Sequence, residues 1–241
     1  MQKMKQYLLA STMCVLPFAA SAADMAVKSP YTPQPVPFTW TGFYVGASAG
    51  LISQNTTGTD LGDGSSGTSN GMLFSAGDTY GVAGTGGLFG LNAGYNYQTG
   101  AWVFGLEADI ALSTVKNAYY FDPSPPDYVS SQLNSLGTVR GRIGYAFDRA
   151  LLYATGGLAY GNVKNGASDG DPDLTVSTSG WRTGWTGGAG LEYAVTNHWT
   201  VRAEWLYVDL GTSTGTSPLS GCRFGFKNTY NVGRLGVNYK Y

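Results

Sequence analysis

Apolar side chains alternate with glycine or polar side chains through most of this 241-residue chain. In residues 43–51, every odd position is apolar, and every even position holds glycine, serine or tyrosine. Successive side chains of a β-strand point to opposite faces, so each such run predicts a strand with one greasy face and one small or polar face. The fold must therefore give every strand an apolar environment on one side only.

Eight runs of this kind can be counted, each about nine to thirteen residues long, which is the length that crosses a bilayer at a tilt. They lie at 43–51, 87–97, 102–110, 136–147, 151–161, 182–194, 199–210 and 229–241. Aromatic residues cluster at the run ends, as in an interfacial girdle. Trp40, Trp102, Trp199 and Tyr239 are examples.

The connections between these runs alternate strictly in length. Residues 98–101, 148–150 and 195–198 form short links, whereas the other links have roughly 20 to 30 residues rich in Gly, Ser, Thr, Asn and Asp. Short periplasmic turns opposite long extracellular loops are typical of bacterial outer-membrane barrels. We therefore predict an all-β fold, an eight-stranded antiparallel transmembrane β-barrel. The alternative is a soluble sandwich or lipocalin-like barrel, but its charges would point outward, whereas here they share a face with glycines.

The N-terminus predicts an exported chain in three parts. Lys3 and Lys5 precede an apolar stretch at 7–18 and a small-residue cleavage pattern, so residues 1–22 read as a signal peptide cut after Ala22 or Ala23. Residues 23–39 form a proline-rich periplasmic segment, and 40–241 form the barrel. Cleavage removes Cys14 and leaves Cys222 unpaired within the chain.

Composition argues against several functional classes. Charged residues make up 12% of the chain and the net charge is −1, so no basic field invites nucleic acid. Two cysteines and a single histidine, His198, leave few options for metal or acid–base chemistry. Residues 46–50 (GASAG) match the G-x-S-x-G spacing of a hydrolase nucleophile, but they lie inside a strand pattern with no helix after it. We predict no catalytic residues and no cofactor.

The predicted inward face carries four acids and four bases. Opposite charges across a strand pair attract, and an eight-stranded barrel is only just wide enough for its own side chains. We therefore predict a ladder of ion pairs that closes the lumen; the alternative is that these charges line a wet pore. The residues are Glu107, Asp109, Arg140, Arg142, Glu192, Arg202, Glu204 and Arg234.

Several motifs together resemble one known family. The resemblance begins at residues 31–46 (YTPQPVPFTWTGFYVG) and spans nearly the whole predicted mature chain. Further matches are GLNAGYNY (90–97), VFGLEAD (103–109), GTVRGRIGYAF (137–147), LYATGGLAYG (152–161), GLEY (190–193), YVDLG (207–211) and VGRLGVNYKY (232–241). This pattern is similar to the small outer-membrane immunogenic proteins of alphaproteobacteria, a porin-family group near the OmpA-like barrels. The resemblance implies a surface-exposed integral barrel in a Gram-negative outer membrane, and leaves 53–80 and 121–134 unassigned.

Candidate ligand sites are weak. Asp169, Asp171 and Asp173 have the spacing of a calcium loop, but Leu174 and Gly180 stand where that loop needs glycine and glutamate. We therefore predict a solvated acidic loop and no metal. Barrels resembling this one can bind haem, and the chain has phenols that could serve in predicted loops. These are Tyr80, Tyr119, Tyr120 and Tyr128.

The sequence thus favours a structural surface barrel that presents four long loops. A narrow porin for small solutes and a ligand-binding, haem-binding or adhesion protein remain alternatives. Tyr239 and Tyr241, on the lipid-facing parity at the C-terminus, resemble a signal read by the outer-membrane assembly machinery. Expected partners are that machinery and outer-membrane lipids, including lipopolysaccharide, and we expect a monomer.

Overall fold

The alternating segments form the walls of one closed antiparallel sheet. A computed structural model of the chain describes residues 38–62, 77–123, 126–169, 176–216 and 223–241. These residues include no helix long and apolar enough to cross a membrane. Their strands are β1 (Gly42–Gly62), β2 (Thr79–Thr99), β3 (Trp102–Ser113), β4 (Lys116–Pro123), β5 (Pro126–Phe147), β6 (Ala150–Asp169), β7 (Val176–Ala194), β8 (Trp199–Thr216) and β9 (Arg223–Lys240).

The sheet closes into an eight-membered ring. Its order is β3-β2-β1-β9-β8-β7-β6-β5-β4, and β3 also pairs with β5. Both β3 and β4 pair with β5, so they are two parts of one wall position. They are separated by Thr114 and by Val115, which is only 1% exposed. The predicted eight-stranded antiparallel barrel is confirmed.

The two faces of the strands follow the predicted parity. On β1, Phe43 is 67% and Leu51 is 64% exposed on the outer face, whereas Ser48 and Ile52 are buried inside. Aromatic rings meet edge-on at the short-turn end of the outer face, where the centroids of Trp199 and Tyr239 lie 5.0 Å apart. Further aromatic pairs mark the other edge of this apolar belt: Tyr160 with Trp181 at 6.0 Å, and Trp185 with Tyr207 at 5.4 Å.

Trp40 is not part of this outer girdle, so its assignment there was wrong. Its side chain is 1% exposed, and its indole N–H donates to the backbone carbonyl of Asp148 at 3.3 Å. Its backbone N–H donates to the side-chain oxygen of Gln98. Preceding β1, the chain therefore folds into the mouth of the barrel, and the indole packs with Val103, Leu151 and Tyr153.

The strands run well past the apolar belt, into segments predicted to be long loops. Beyond Leu51, the outward residues of β1 are polar as far as Thr59, yet pairing with β9 continues to Gly62. Outside the bilayer, water can solvate the outward face, so the alternation that lipid requires is lost although the backbone pairing continues. The links between the paired strands here are 63–78, 124–125, 170–175 and 217–222, and most of these residues lie outside the described part of the chain.

Polar and apolar side chains occupy the barrel interior in successive layers. The Trp40 cluster fills the mouth, and a charged layer follows it. An apolar layer around Ile52, Leu206 and Val232 comes next. A polar layer then contains Gln54, Thr56, Ser131, Asn165, Ser213 and Asn228. A second apolar layer lies nearest the hairpin tips and consists of Val82, Val129, Ala167, Val176, Phe224 and Phe226.

Candidate functional site

The eight charged residues of the inward face meet in one layer of the barrel interior. None of them is more than 7% exposed. Four arginines face four carboxylates, so the layer carries no net formal charge. The strands that supply them are β3 (Glu107, Asp109), β5 (Arg140, Arg142), β7 (Glu192), β8 (Arg202, Glu204) and β9 (Arg234).

Arg140 stands at the centre of the charged layer. Its Nη2 atom lies 2.5 Å from Glu107 Oε1 and 3.0 Å from Asp109 Oδ2. Its Nη1 atom lies 3.0 Å from Glu204 Oε1. The Nε–H donates to the hydroxyl of Thr138 at 2.9 Å, and that hydroxyl donates to Asp109 at 2.7 Å. One guanidinium therefore joins three carboxylates that come from two walls of the barrel.

Two more arginines complete the central network. Arg234 contacts Glu204 Oε2 at 2.6 Å and Asp109 Oδ2 at 3.0 Å. Arg202 Nη1 lies 2.5 Å from Glu107 Oε2. Each of the three central carboxylates thus contacts at least two arginines. Such multiple, charge-assisted bonds are what makes buried ions tolerable.

A second pair lies beside the centre, towards the barrel mouth. Arg142 Nη1 lies 3.0 Å from Glu192 Oε2, and its Nε–H donates to Asn96 at 2.8 Å. The guanidinium carbon sits 4.7 Å from the ring centroid of Tyr44 and 5.2 Å from that of Tyr153. These phenols donate to Glu107 and Glu204, respectively, and so connect the pair to the central network.

The charges form a network across the lumen that includes two ion pairs of the predicted ladder between neighbouring strands. Glu107 and Arg140 are register partners on β3 and β5, and Glu204 and Arg234 are register partners on β8 and β9, as a ladder requires. The register partner of Asp109, however, is Thr138, and that of Arg142 is Gly105. Arg142 instead reaches Glu192 on β7, because the lumen is narrow enough for an arginine side chain to span it.

Glycines on the inner wall make room for the long side chains. A Cβ built on Gly94 would lie 2.3 Å from the hydroxyl oxygen of Tyr44, and one on Gly190 would lie 2.5 Å from that of Tyr153. A Cβ on Gly105 would lie 2.4 Å from Asn96 Oδ1 and 3.0 Å from Arg142. The glycines that alternate with apolar residues in the sequence are therefore the packing partners of the charged layer.

Comparison with known proteins agrees with the barrel fold. Residues 10–241 match the family described as outer membrane protein beta-barrel domain. The chain belongs to this family. It is 35% identical over 250 residues to the 31 kDa outer-membrane immunogenic protein of Brucella melitensis biotype 1, covering 99% of this chain and 100% of that protein. It is 28% identical to the 25 kDa outer-membrane immunogenic protein of the same organism, with both chains covered in full.

Among solved structures, this family member is similar to the outer membrane protein OprG from Pseudomonas aeruginosa. The TM-score is 0.52 at 12% identity, and the match covers 86% of this chain and 99% of that one. This likeness concerns the fold alone. Together with the family match, it makes the chain an outer-membrane β-barrel protein of a Gram-negative bacterium.

The remaining sequence candidates lie away from the charged layer. Tyr239 and Tyr241 stack edge-on on the outer face, 5.2 Å apart, and their role as an assembly signal stays a prediction. Asp169 ends β6, whereas Asp171 and Asp173 lie outside the described residues. Within the described part of the chain, no group of three or more His, Cys, Asp or Glu residues could hold a metal ion.

The four candidate haem tyrosines are spread over three strands. Tyr80 lies on β2, whereas Tyr119 and Tyr120 lie on β4 and Tyr128 lies on β5. The rings of Tyr120 and Tyr128 are 5.9 Å apart. Haem binding stays a prediction. Residues 46–50 lie within β1, so the G-x-S-x-G spacing has no strand–turn–helix setting.

The sequence did not lead us to predict the layers between the charged layer and the hairpin tips. Ser131, Asn165 and Asn228 are buried and bridged by hydrogen bonds in segments that we expected to be loops. A weak signal was present in 223–232, where Phe224, Phe226 and Val232 sit on the same parity as Arg234. Extending the inward parity beyond the lipid-facing run would have found them.

Replacing Arg140 with alanine tests the central network. The change leaves three buried carboxylates short of a partner, so we expect the free energy of unfolding to fall by about 3 to 5 kcal/mol. Arg149→Ala, in a short turn, is the control: it removes hydrogen bonds to Ala194 and Asn197 at a half-exposed site where water can replace them, so it should cost about 1 kcal/mol. Arg140→Met combined with Glu204→Gln keeps the layer neutral and should cost less than the sum of the two single changes. Denaturant unfolding in detergent measures all five variants, which include the single changes Arg140→Met and Glu204→Gln, and equal losses for Arg140→Ala and Arg149→Ala would contradict the network.

Gly94→Ala tests whether the glycines are spacers. The new methyl group would meet the Tyr44 hydroxyl and, at 2.6 Å, the backbone oxygen of Leu106, so we expect a loss of about 1 to 3 kcal/mol. Gly141→Ala is the matched control, since its Cβ would meet only one atom, at 4.0 Å, and it should change stability by less than about 0.5 kcal/mol. Similar unfolding curves for the two variants would show that the inner glycines are not needed for packing.

Proposed function

We propose that this protein is a structural outer-membrane barrel with a closed lumen, which presents its extended hairpins at the cell surface. The observation that carries this proposal is the layered interior, in which the neutral charged network is followed by an apolar layer around Ile52, Leu206 and Val232. The barrel interior has the packing of a protein core rather than the lining of an aqueous channel.

The two layers oppose solute passage for different reasons. Side chains of the charged layer bond to one another across the lumen, so an ion would have to displace partners held at 2.5 to 3.0 Å. In the apolar layer, an ion or polar solute would have to shed its hydration shell with no polar partner in exchange. Either barrier alone argues against the narrow-porin alternative.

The direction of the barrel supports surface presentation. Both ends of the closed sheet, Gly42 and Lys240, lie at the short-turn edge, and outer-membrane barrels keep their short turns in the periplasm. The extended strands then project from the outer leaflet. The relatives are named outer-membrane immunogenic proteins, and a surface-exposed part would be open to immune recognition, which supports the same orientation here.

Planar-bilayer recording of the refolded mature chain separates a closed barrel from a pore. We expect no steady channel openings, whereas a general porin recorded under identical conditions gives them. The unboiled sample must first migrate differently from the boiled sample on a detergent gel, which marks a closed barrel. This check is needed because unfolded protein would also give no channel currents. Large and steady single-channel currents from the folded protein would refute the closed lumen.

Cysteine labelling of whole cells tests the orientation. In a Cys222→Ser background, Thr57→Cys lies on the exposed face of β1 beyond the apolar belt, and Thr99→Cys lies at a short turn. A membrane-impermeant maleimide should label Thr57→Cys on intact cells and Thr99→Cys only after the outer membrane is permeabilised. The reverse pattern would overturn surface presentation and leave the lumen result untouched.

A further inference from the structure

A polar trough crosses the outer wall of the barrel where β4, β5 and β6 rise above the apolar belt. Its volume is about 490 Å³. Small residues form its floor, because Ala118, Ser130 and Gly166 are register partners on the three strands. Larger residues close its two ends, with Lys116, Gln132 and Lys164 on the membrane side and Tyr120 and Tyr128 on the other.

The membrane-side end of the trough is cationic. Lys116 and Lys164 face the same residue, Gln132, from opposite sides, and both are exposed. Neither forms an ion pair with any residue that the structure describes, and no carboxylate lies among the described residues that line the trough. Asp127 and Asp169 are register partners beyond the tyrosines, at the far end. An anionic group would therefore be drawn to the lysine end.

The lysines stand at headgroup depth. Closer to the membrane, a row of register partners crosses the same wall from Leu112 on β3 to Trp181 on β7. The side chains of Leu112 and Trp181 are 69% and 61% exposed. An indole at the edge of an apolar belt marks the membrane interface. From that row, Lys164 is two residues further along β6, about 7 Å, and Lys116 is four residues beyond Leu112, about 13 Å. Both lysines thus lie above the hydrocarbon, at a height from which a long side chain reaches the phosphates of the outer leaflet.

We propose that this trough binds the phosphorylated sugar headgroup of lipopolysaccharide from the surrounding outer leaflet. The two lysines would pair with a phosphate, and Gln132 and Ser130 would hydrogen-bond the sugar. The rings of Tyr120 and Tyr128, 5.9 Å apart, would cover a sugar face, while the small floor gives it space. The inference rests on the proposed orientation but not on the closed lumen.

Binding of O-chain-free lipopolysaccharide to the refolded mature protein in detergent tests the charge requirement. Lys116→Gln with Lys164→Gln should weaken binding by about 30-fold, at roughly 1 kcal/mol for each lysine near a lipid phosphate. Lys227→Gln, an exposed lysine on β9, is the control and should change binding less than twofold. If Lys227→Gln weakened lipopolysaccharide binding as much as the double lysine variant does, the lysines would act only through their general charge, and the proposal would be overturned.

A second arm tests the shape of the trough and the source of the ligand. Gly166→Phe fills the floor while both lysines stay, and should weaken binding as the lysine changes do; Gly141→Phe, in the lipid-facing belt, should not. Dephosphorylated lipopolysaccharide should bind as weakly as the double lysine variant. Unchanged binding by Gly166→Phe, or a soluble sulfated polysaccharide that binds as tightly as lipopolysaccharide, would contradict the assignment. Because binding in detergent does not depend on orientation, this result and the labelling result can fail separately.

Discussion

The backbone of a strand in lipid can find hydrogen-bond partners only on other strands, and this constraint shapes the whole molecule. It forces the sheet to close on itself, so that β1 pairs with both β2 and β9, and the β3–β4 wall closes on β5. Closure with eight strands leaves an interior only as wide as a few side chains. The size of each inward side chain is then limited by the space that the side chains across the lumen leave.

The interior meets this constraint with glycine and large residues in complementary positions. Tyr44 occupies space that Gly94 leaves, and Tyr153 occupies space that Gly190 leaves. Arginine suits the same space because its planar head bonds several carboxylates at once, as Arg140 does. The same packing continues past the bilayer, where Phe224 and Phe226 fill the lumen at the level at which the outer face has become polar.

The outer surface was the part that the sequence predicted best. Outward residues such as Phe43, Leu51 and Leu235 are apolar because they face hydrocarbon. The alternation of apolar and polar residues therefore located the membrane-spanning segments and, by exclusion, the inward charges. Pairs on neighbouring strands, such as Glu107 with Arg140, follow from the pattern. The partners across the lumen could not be predicted, because the contact of Arg142 with Glu192 depends on the stagger of strands around the ring. The strand extensions left only a weak signal in the inward parity, and the inward turn of Trp40 left none, since neither is imposed by a pattern that lipid enforces.

We infer that the charged layer contributes more to the choice of one register than to stability. Desolvating eight charges consumes most of what their attraction returns, so an apolar filling of equal volume could be as stable. A shift of one residue in the register of β5, however, would turn Arg140 and Arg142 towards lipid and bring Val139 and Ile143 into the lumen. Each arginine at the bilayer midplane would then cost about 2 to 4 kcal/mol, and its carboxylate partners would be left unpaired. Because β3, β7, β8 and β9 also contribute charges to this layer, a slip of any one of them carries a penalty of the same kind, smaller for the carboxylates of β3 and β7 than for the arginines. The network therefore fixes the relative register of five of the eight wall positions.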